Sequence, residues 1–165
     1  MTIPGLPFFS YKLVGDLATG QVGIWSFRKA RMSYSGYCCE MRRDSDNTST
    51  NVYFDSSGNL STSSFTSIGS KLSVWLGSAS GYIRQLYDQS GNANPLIQLT
   101  LANQPQIAAS GVVNTLGGKA AMAFNGSSTY LSSSSAIVMP ATMSLFTVSV
   151  SVNTSLFIEH YPNTN

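Results

Sequence analysis

Charged side chains are scarce in this chain of 165 residues, since Asp, Glu, Lys and Arg make up only 10% of it. An average soluble domain has about 25%. The formal net charge is +2. This balance supplies neither the strong positive field of a nucleic-acid-binding protein nor a polybasic membrane patch. The sequence therefore predicts no nucleic-acid partner.

Cysteine and histidine are rarer still, and Cys38, Cys39 and His160 are the whole set. Two cysteines do not make a disulfide framework, and adjacent cysteines seldom pair because the ring strains the peptide between them. We expect two reduced thiols, one of them in the core. A zinc site needs more ligands, and the histidine lies far away in sequence. No metal and no cofactor is predicted.

Carboxylates are also few, although Asp44, Asp46 and Asp55 follow a spacing loosely like that of a calcium loop. They stand at its first, third and twelfth places. The sixth place is Ser49 rather than glycine, and the twelfth is aspartate rather than glutamate. We therefore interpret the segment as a solvated loop.

Long apolar runs are absent from the sequence. The most apolar late stretch, residues 136–152, contains Pro140 and alternating Ser and Thr, and is too short and polar to span a bilayer. The N-terminus has no basic segment, and prolines break its short apolar run. We expect neither a secretory signal nor membrane insertion.

Short apolar stretches separated by Ser, Thr, Asn and Gly fill the chain instead. This pattern is typical of a single all-β domain, a sandwich or jelly roll. We divide the chain into an N-terminal arm or first strand over residues 1–21 and a jelly-roll domain over residues 22–165. Strands are predicted at residues 37–43, 51–54, 81–87, 97–101, 112–116, 120–124, 130–131, 143–152 and 156–159.

Two further segments have patterns compatible with helix. Residues 22–32 mix apolar and basic side chains and are read as a strand or a short helix. Residues 61–69 can form a short helix capped by Ser or Thr, with Leu60, Phe65 and Ile68 pointing inward.

Two turns are predicted from composition. Residues 44–50 form a loop, and Arg42 and Arg43 before it are expected to make local ion pairs of small value with its acids. Residues 55–59 form a turn in which Gly58 is free to take a positive φ.

The stretch YDQSGN combines a phenol, an acid and amides in a turn-forming run. Asp88 and Asn92 can bind nearby backbone N–H groups, and Tyr87 can pack its ring while its hydroxyl finds a partner. We favour a structural corner. The alternative is direct ligand contact, with Tyr87, Asp88 and Asn92 as the candidate carbohydrate-binding residues.

Trp25, Trp75 and Tyr82 have side chains that could stack on a sugar ring. A domain of this size also needs aromatic residues in its core, so we favour core positions for them.

An ordered series of motifs carries a family resemblance: SYSGYCCEMRRDSDNT, YDQSGNAN, ANQPQI and GGKAAMAFNGSSTYL. It resembles the concanavalin-like jelly-roll domain of the fungal arabinofuranosidase B family, and still more closely the non-catalytic relatives of that domain in bacteriophage structural proteins. The resemblance covers roughly residues 22–131. It implies an antiparallel jelly-roll β-sandwich of concanavalin or laminin G type, which we expect to be incomplete at its C-terminal end.

The resemblance also bears on catalysis, because glycoside hydrolysis needs two carboxyl groups flanking the scissile bond. In the enzymes these lie downstream of the matched region, beyond a point near Glu159, and residues 160–165 contain none. The enzymes place their cysteine pair after the YDQSGN motif, whereas Cys38 and Cys39 precede it, so that role is not carried over. No catalytic residue is predicted.

The expected function is a non-enzymatic structural or adhesion component of a phage particle, located in the virion, such as a tail, fibre or head-surface protein. Its partners would be other copies or other subunits of the viral assembly, with host surface glycan as a candidate ligand. Residues 143–159 are expected to pack against another chain or a continuation of this one. The alternatives are a fragment of an arabinofuranosidase-like hydrolase and a free carbohydrate-binding module.

Overall fold

The computed structural model describes residues 12–17, 19–133, 135–138 and 144. Strands dominate this part of the chain and all their pairings are antiparallel, which confirms the all-β class. The elements are β1 Cys39–Arg43, β2 Ser49–Val52, α1 Leu72–Leu76, β3 Gly81–Leu86, β4 Leu96–Ile97, β5 Gln106–Ala109, β6 Val112–Val113, β7 Thr115–Leu116, β8 Lys119–Ala120 and β9 Ser132–Ser133. Short 3-10 helices lie at Val14–Asp16 and Leu101–Asn103. Within these ranges, no helix has the length and apolar character needed to cross a membrane.

Strand β3 is the centre of a seven-stranded sheet with the order β2-β1-β3-β4-β9. One edge of β3 pairs with β1, and the other edge is divided between two strands. β5 pairs with its start at Gly81 and Tyr82, whereas β4 pairs with its end at Gln85 and Leu86. β6 extends the sheet beyond β5, and β7 and β8 form a separate two-stranded sheet. The sheet therefore divides into two arms on one side of β3.

A β-bulge between β1 and β3 decides which side chains of β3 face the core. Two successive residues of β1 pair with Gln85 and Ile83, so Arg84 is the extra residue. Side chains alternate along a regular strand, and the extra residue allows Ile83 and Leu86, three positions apart, to be buried together. Arg84 and Gln85 stay half-buried.

The core joins the sheet to helix α1. Its buried side chains come mainly from five strands and the helix, and include Cys39, Met41, Val52, Ile83, Ile107, Val113, Leu72, Trp75 and Leu76. The three helical positions are spaced i, i+3 and i+4, which places them on one face. The helix ends at Leu76, and Gly77 after it adopts a φ of 58°.

The two longest strands match their predictions closely. The strand predicted at residues 37–43 begins at Cys39, and the strand predicted at residues 81–87 ends at Leu86.

The elements predicted after β1 are of the right type, but their positions are shifted. The strand predicted at residues 51–54 spans Ser49–Val52, so the end of the loop predicted at residues 44–50 belongs to it. The turn at residues 55–59 is confirmed, and Gly58 has a φ of 74°.

The later strands are shorter than predicted. Around residues 97–101, 112–116, 120–124 and 130–131 the structure has only the two-residue strands β4 and β6 to β9. Strand β5 is not among the predicted strands, because its sequence QIAA contains a single residue with strong β propensity. The strands predicted at residues 143–152 and 156–159, and the packing expected of residues 143–159, lie outside the described residues.

The helix predicted at residues 61–69 is wrong. These residues form turns, and Phe65 and Ile68 are 52% and 68% exposed, whereas Leu60 is buried as expected. The hydroxyl of Ser64 accepts a hydrogen bond from the N–H of Ser61. Such local side-chain bonds compete with helix in a Ser-rich segment.

Residues 22–32 form neither the strand nor the helix that their pattern allowed. Only two isolated bridges occur there, from Trp25 to Asp88 and from Arg28 to Asn59. The other partners of this segment include side chains of the YDQSGN motif.

Candidate functional site

Asp88 is the anchor of the YDQSGN corner. Asp88 is only 8% exposed, and its carboxylate accepts four hydrogen bonds. These come from the N–H of Ile24 (2.8 Å), the N–H and hydroxyl of Ser90 (2.8 and 2.7 Å) and the N–H of Asn94 (3.1 Å). The carboxylate therefore fixes the turn and holds a distant segment at the same time.

Gln89 extends this contact along the same segment. Its Oε1 accepts from the N–H of Ala30 at 2.7 Å, and its Nε2 donates to the carbonyls of Ser26 and Arg28 at 3.0 and 3.1 Å. Its own backbone N–H donates to the carbonyl of Ile24. A buried side-chain amide thus satisfies backbone groups that a partner strand would otherwise satisfy.

Asn92 and Asn94 complete the corner from the other end. The amide nitrogens of both donate to the carbonyl of Val22, at 3.2 and 2.9 Å, and Asn92 also donates to Gln21. The guanidinium of Arg31 donates to the carbonyl of Ser90. We call residues 88–94 the corner clamp, because they hold residues 21–31 against the domain.

Tyr87 points away from the corner clamp and belongs to a different surface. Its hydroxyl donates to Oδ1 of Asn51 at 2.7 Å. Asn51 lies on β2, and β1 separates β2 from β3, so the contact crosses a whole strand. Neighbouring strands are about 4.8 Å apart, so the phenol ring must lie along the sheet rather than stand upright on it.

Two more tyrosines form a cluster with Tyr87. The ring centroid of Tyr37 lies 5.8 Å from that of Tyr87 and 4.6 Å from that of Tyr53, which is 39% exposed. With three neighbouring polar residues they form one surface, which we call the tyrosine face: Tyr37, Tyr53, Tyr87, Glu40, Asn51 and Arg84.

The strand register explains how the tyrosines meet. Cys39 pairs with Val52 on one side and with Leu86 on the other. Extending this register by one residue places Cys38 opposite both Tyr53 and Tyr87.

Both thiols are consequently buried. Cys38 and Cys39 are free and are 1% and 0% exposed, so the expectation that only one lies in the core is wrong. The small side chain of Cys38 leaves room for the larger rings beside it. Burial raises the pKa of the Cys38 thiol well above its ordinary value.

Glu40 and Arg84 supply an ion pair at the edge of the tyrosine face. Nη1 of Arg84 lies 2.5 Å from Oε1 of Glu40, and the side chains of Arg84 and Glu40 are 41% and 18% exposed. The bulge at Arg84 makes this pairing possible by adding a residue beside Glu40.

Two phenols of the tyrosine face, Tyr87 and Tyr53, have raised pKa values. Burial raises the pKa of Tyr87, and the negative charge of Glu40 adds to the effect. The neighbouring Tyr37 hydroxyl raises the pKa of Tyr53. The adjacent Tyr34, whose hydroxyl donates to the carbonyl of Tyr37 at 2.8 Å, has a pKa raised by burial to about 12.

The opposite end of the same sheet face is covered by another segment. Nε of Arg42 donates to Oε1 of Gln104 at 2.7 Å and Nη1 donates to Asn47 at 2.8 Å, while the guanidinium lies 4.7 Å from the ring centroid of Tyr82. Arg42 is buried, which contradicts the predicted local ion pair. The open part of the face is therefore its tyrosine end.

The second arginine does form the predicted ion pair. Nη2 of Arg43 lies 2.6 Å from Oδ2 of Asp46 on the exposed turn after β1. The hydrogen bonds from Arg43 and Thr48 lower the pKa of Asp46.

The predicted preference of the tryptophans for the core is supported by their positions. Trp75 is 7% exposed, and Trp25 packs partly buried against the core while its Nε1 donates to the carbonyl of Asn94. Within the described ranges, no three His, Cys, Asp or Glu side chains are grouped so that they could hold a metal ion.

Sequence reasoning selected Tyr87 but missed its neighbours Tyr37, Tyr53, Glu40 and Arg84. The structure separates Tyr87 from the other two candidates, since Asp88 and Asn92 belong to the corner clamp. The tyrosines adjoin the ends of three strands that pair side by side, but only the register brings them together. Direct ligand contact by the three candidates remains a prediction.

No protein-family model matches the chain, and neither a curated protein nor a solved structure matches it.

Proposed function

We propose that the chain is a non-enzymatic structural or adhesion component of a bacteriophage particle, whose concanavalin-type jelly roll binds host glycan through the tyrosine face. The observation that carries the binding part is the contact of Tyr37, Tyr53 and Tyr87 beside the Glu40–Arg84 ion pair. The virion part depends on the series of motifs that resembles phage structural proteins.

The chemistry of the tyrosine face suits a sugar. Tyrosine offers a rigid apolar ring with a polar tip, so the C–H groups of a pyranose can lie on the rings while its hydroxyls reach polar groups nearby. Nδ2 of Asn51 and the side-chain amide of Gln85 have no hydrogen-bond partner within the described residues and can serve the hydroxyls. These groups would fix the orientation of the sugar.

Charge on the face favours a neutral glycan. Arg84 is already paired with Glu40, so little unpaired charge is left for an acidic sugar. Both groups keep further donor and acceptor positions, because the contact joins only one nitrogen and one oxygen.

The described carboxylates support a role without hydrolysis. A hydrolase needs two carboxyl groups that flank the scissile bond. Glu40 instead faces a guanidinium, and Asp88 is surrounded by four donors. The pKa of Asp16 is lowered, chiefly by the hydrogen bond from the N–H of Met32.

A glycan array followed by titration of the positive glycans tests the proposal. The wild-type chain should bind, Tyr53→Ala should lose most of the affinity, and Tyr130→Ala should retain it. Tyr130 is the matched control, because it is 50% exposed and does not belong to the tyrosine face.

Hydrolysis of aryl glycosides is assayed on the same samples. Turnover above a heat-killed control would favour the hydrolase fragment, and equal binding by Tyr53→Ala and wild type would remove the tyrosine face from the proposal.

A further inference from the structure

A concave surface lies apart from the tyrosine face. It is a cleft of about 420 Å³ between the loop of residues 55–62 and the strands of residues 112–120. We call it the hairpin cleft, because β7 and β8 form one wall. Its volume falls in the range of about 300–1,000 Å³ that small-molecule sites occupy.

One wall is held rigidly by Asp55. Oδ1 accepts from the N–H groups of Ser57 and Asn59, both at 2.9 Å, and Oδ2 accepts from the hydroxyl of Ser61 at 2.8 Å. The loop is also tied to the neighbouring segment, since the N–H of Leu60 donates to the carbonyl of Phe27. The wall is therefore formed before any ligand arrives.

The other wall carries a free cation. Lys119 is exposed on β8, and within the described residues no carboxylate lies in ion-pair contact with it. Burial raises the pKa of Asp55, but hydrogen bonds from Asn59, Ser61 and Ser57 and the charge of Lys119 outweigh this and lower it. The cleft thus has an ionised acid on one side and an unpaired ammonium on the other.

The remaining lining consists of apolar side chains and side chains that carry hydroxyl groups. Val112, which is 64% exposed, and the half-buried Ala120 provide apolar surface, whereas Leu60 and Val113 are almost fully buried. The hydroxyls of Thr62 and Thr115 have no hydrogen-bond partner within the described residues. A ligand with one apolar face and several hydroxyls would satisfy both parts.

We infer that the hairpin cleft binds a monosaccharide that carries a carboxylate, of the uronic acid class. The carboxylate of the sugar pairs with Lys119. Ring hydroxyls donate to the free lone pair on Oδ2 of Asp55 and form hydrogen bonds with Thr62. The C–H face of the sugar lies on the apolar side chains of the cleft. A carboxylate brings one negative charge to Lys119, whereas a phosphate carries about −1.5 to −2 and would be repelled more strongly by the ionised Asp55.

Titration of the isotope-labelled full chain with glucuronic acid, followed by NMR, tests this inference. Amide shifts should change at residues 55–62 and 112–120, and glucose at the same concentration should produce much smaller changes. Lys119→Gln should weaken binding about tenfold, because a charge-assisted hydrogen bond is lost. Lys12→Gln is the control, because Lys12 is also exposed but does not line the cleft.

Thr62→Val is a second variant that leaves all charges in place and should weaken binding by a smaller factor. Absence of shifts with glucuronic acid, equal responses to glucose, or wild-type affinity in Lys119→Gln would each overturn the inference. None of these results bears on glycan binding by the tyrosine face, which is tested separately with Tyr53→Ala.

Discussion

The carboxylate of Asp88 accepts a hydrogen bond of 2.8 Å from the backbone N–H of Ile24, a residue 64 positions earlier in the chain. The same carboxylate binds the N–H groups of Ser90 and Asn94 in its own turn. A single side chain therefore ties local turn geometry to a long-range contact, and loss of one disturbs the other.

Asp88→Ala is expected to lower the free energy of unfolding by about 1–3 kcal/mol, because buried N–H groups lose their acceptor. Urea denaturation of the variant and the wild type measures the difference. Asp44→Ala is the matched control, since Asp44 is exposed and its side chain accepts one bond, from the N–H of Ser80. Equal losses in the two variants would contradict the role of Asp88 as the anchor of the corner clamp.

The corner clamp also predicts which amides Gln89 protects. Gln89→Ala should accelerate hydrogen exchange at Ala30, whose N–H donates to Oε1 of Gln89, more than at Ile24, whose N–H donates to Asp88. Asp88→Ala should reverse that order. Exchange measured by NMR on both variants checks the prediction, and a uniform acceleration across residues 21–31 would show that the clamp acts as one unit.

The two longest strands of the sheet, β1 and β3, could be predicted because they have clear apolar patterns and lie next to strong turn signals. The bulge at Arg84 could not be predicted, since nothing in the local pattern identifies an extra residue before the partner strand is known. The tyrosine face depends on that pairing, so the sequence indicated only Tyr87.

Residues 22–32 illustrate the second limit of the sequence. Their backbone groups bind the side chains of Asp88, Gln89 and Asn92 instead of a neighbouring strand. Periodicity cannot detect such contacts, because the segment has no regular structure of its own. The amide-rich composition of YDQSGN did indicate that a corner was present, but not which segment it would hold.

The turn between β5 and β6 gives a test of backbone packing. Gly111 has a φ of 79°, and a Cβ at this position would clash with the carbonyl oxygen of Gly77. Gly111→Ala should therefore destabilise the chain by more than the strain of a positive φ alone, which is about 1 kcal/mol.

Gly118→Ala is the control for this variant, because Gly118 has a φ of 74° and a Cβ added there would meet no atom within 4 Å. Thermal unfolding of both variants separates conformational strain from the clash. If the two variants melt at the same temperature, the clash with Gly77 does not contribute to the loss of stability.

Alkaline pH is expected to destabilise the domain through Tyr34. Burial, with the nearby Cys38, Tyr87 and Asp88 adding to it, raises the pKa of Tyr34 to about 12 in the folded chain, against about 10 when unfolded. Between these values the unfolded chain has lost the phenol proton and the folded chain has kept it. The contribution of Tyr34 to stability is therefore complete below about pH 10 and is lost as the pH rises towards about 12.

Tyr34→Phe isolates this contribution from those of the other tyrosines and the thiols. The variant also loses the hydrogen bond from Tyr34 to the carbonyl of Tyr37, which lowers stability equally at all pH values below about 10. Above that pH, the wild type should lose stability more steeply than the variant in urea denaturation, so the difference between them should shrink. A constant difference up to about pH 12 would mean that the Tyr34 phenol titrates alike in both states, and burial beside Phe54 would not disfavour its ionised form.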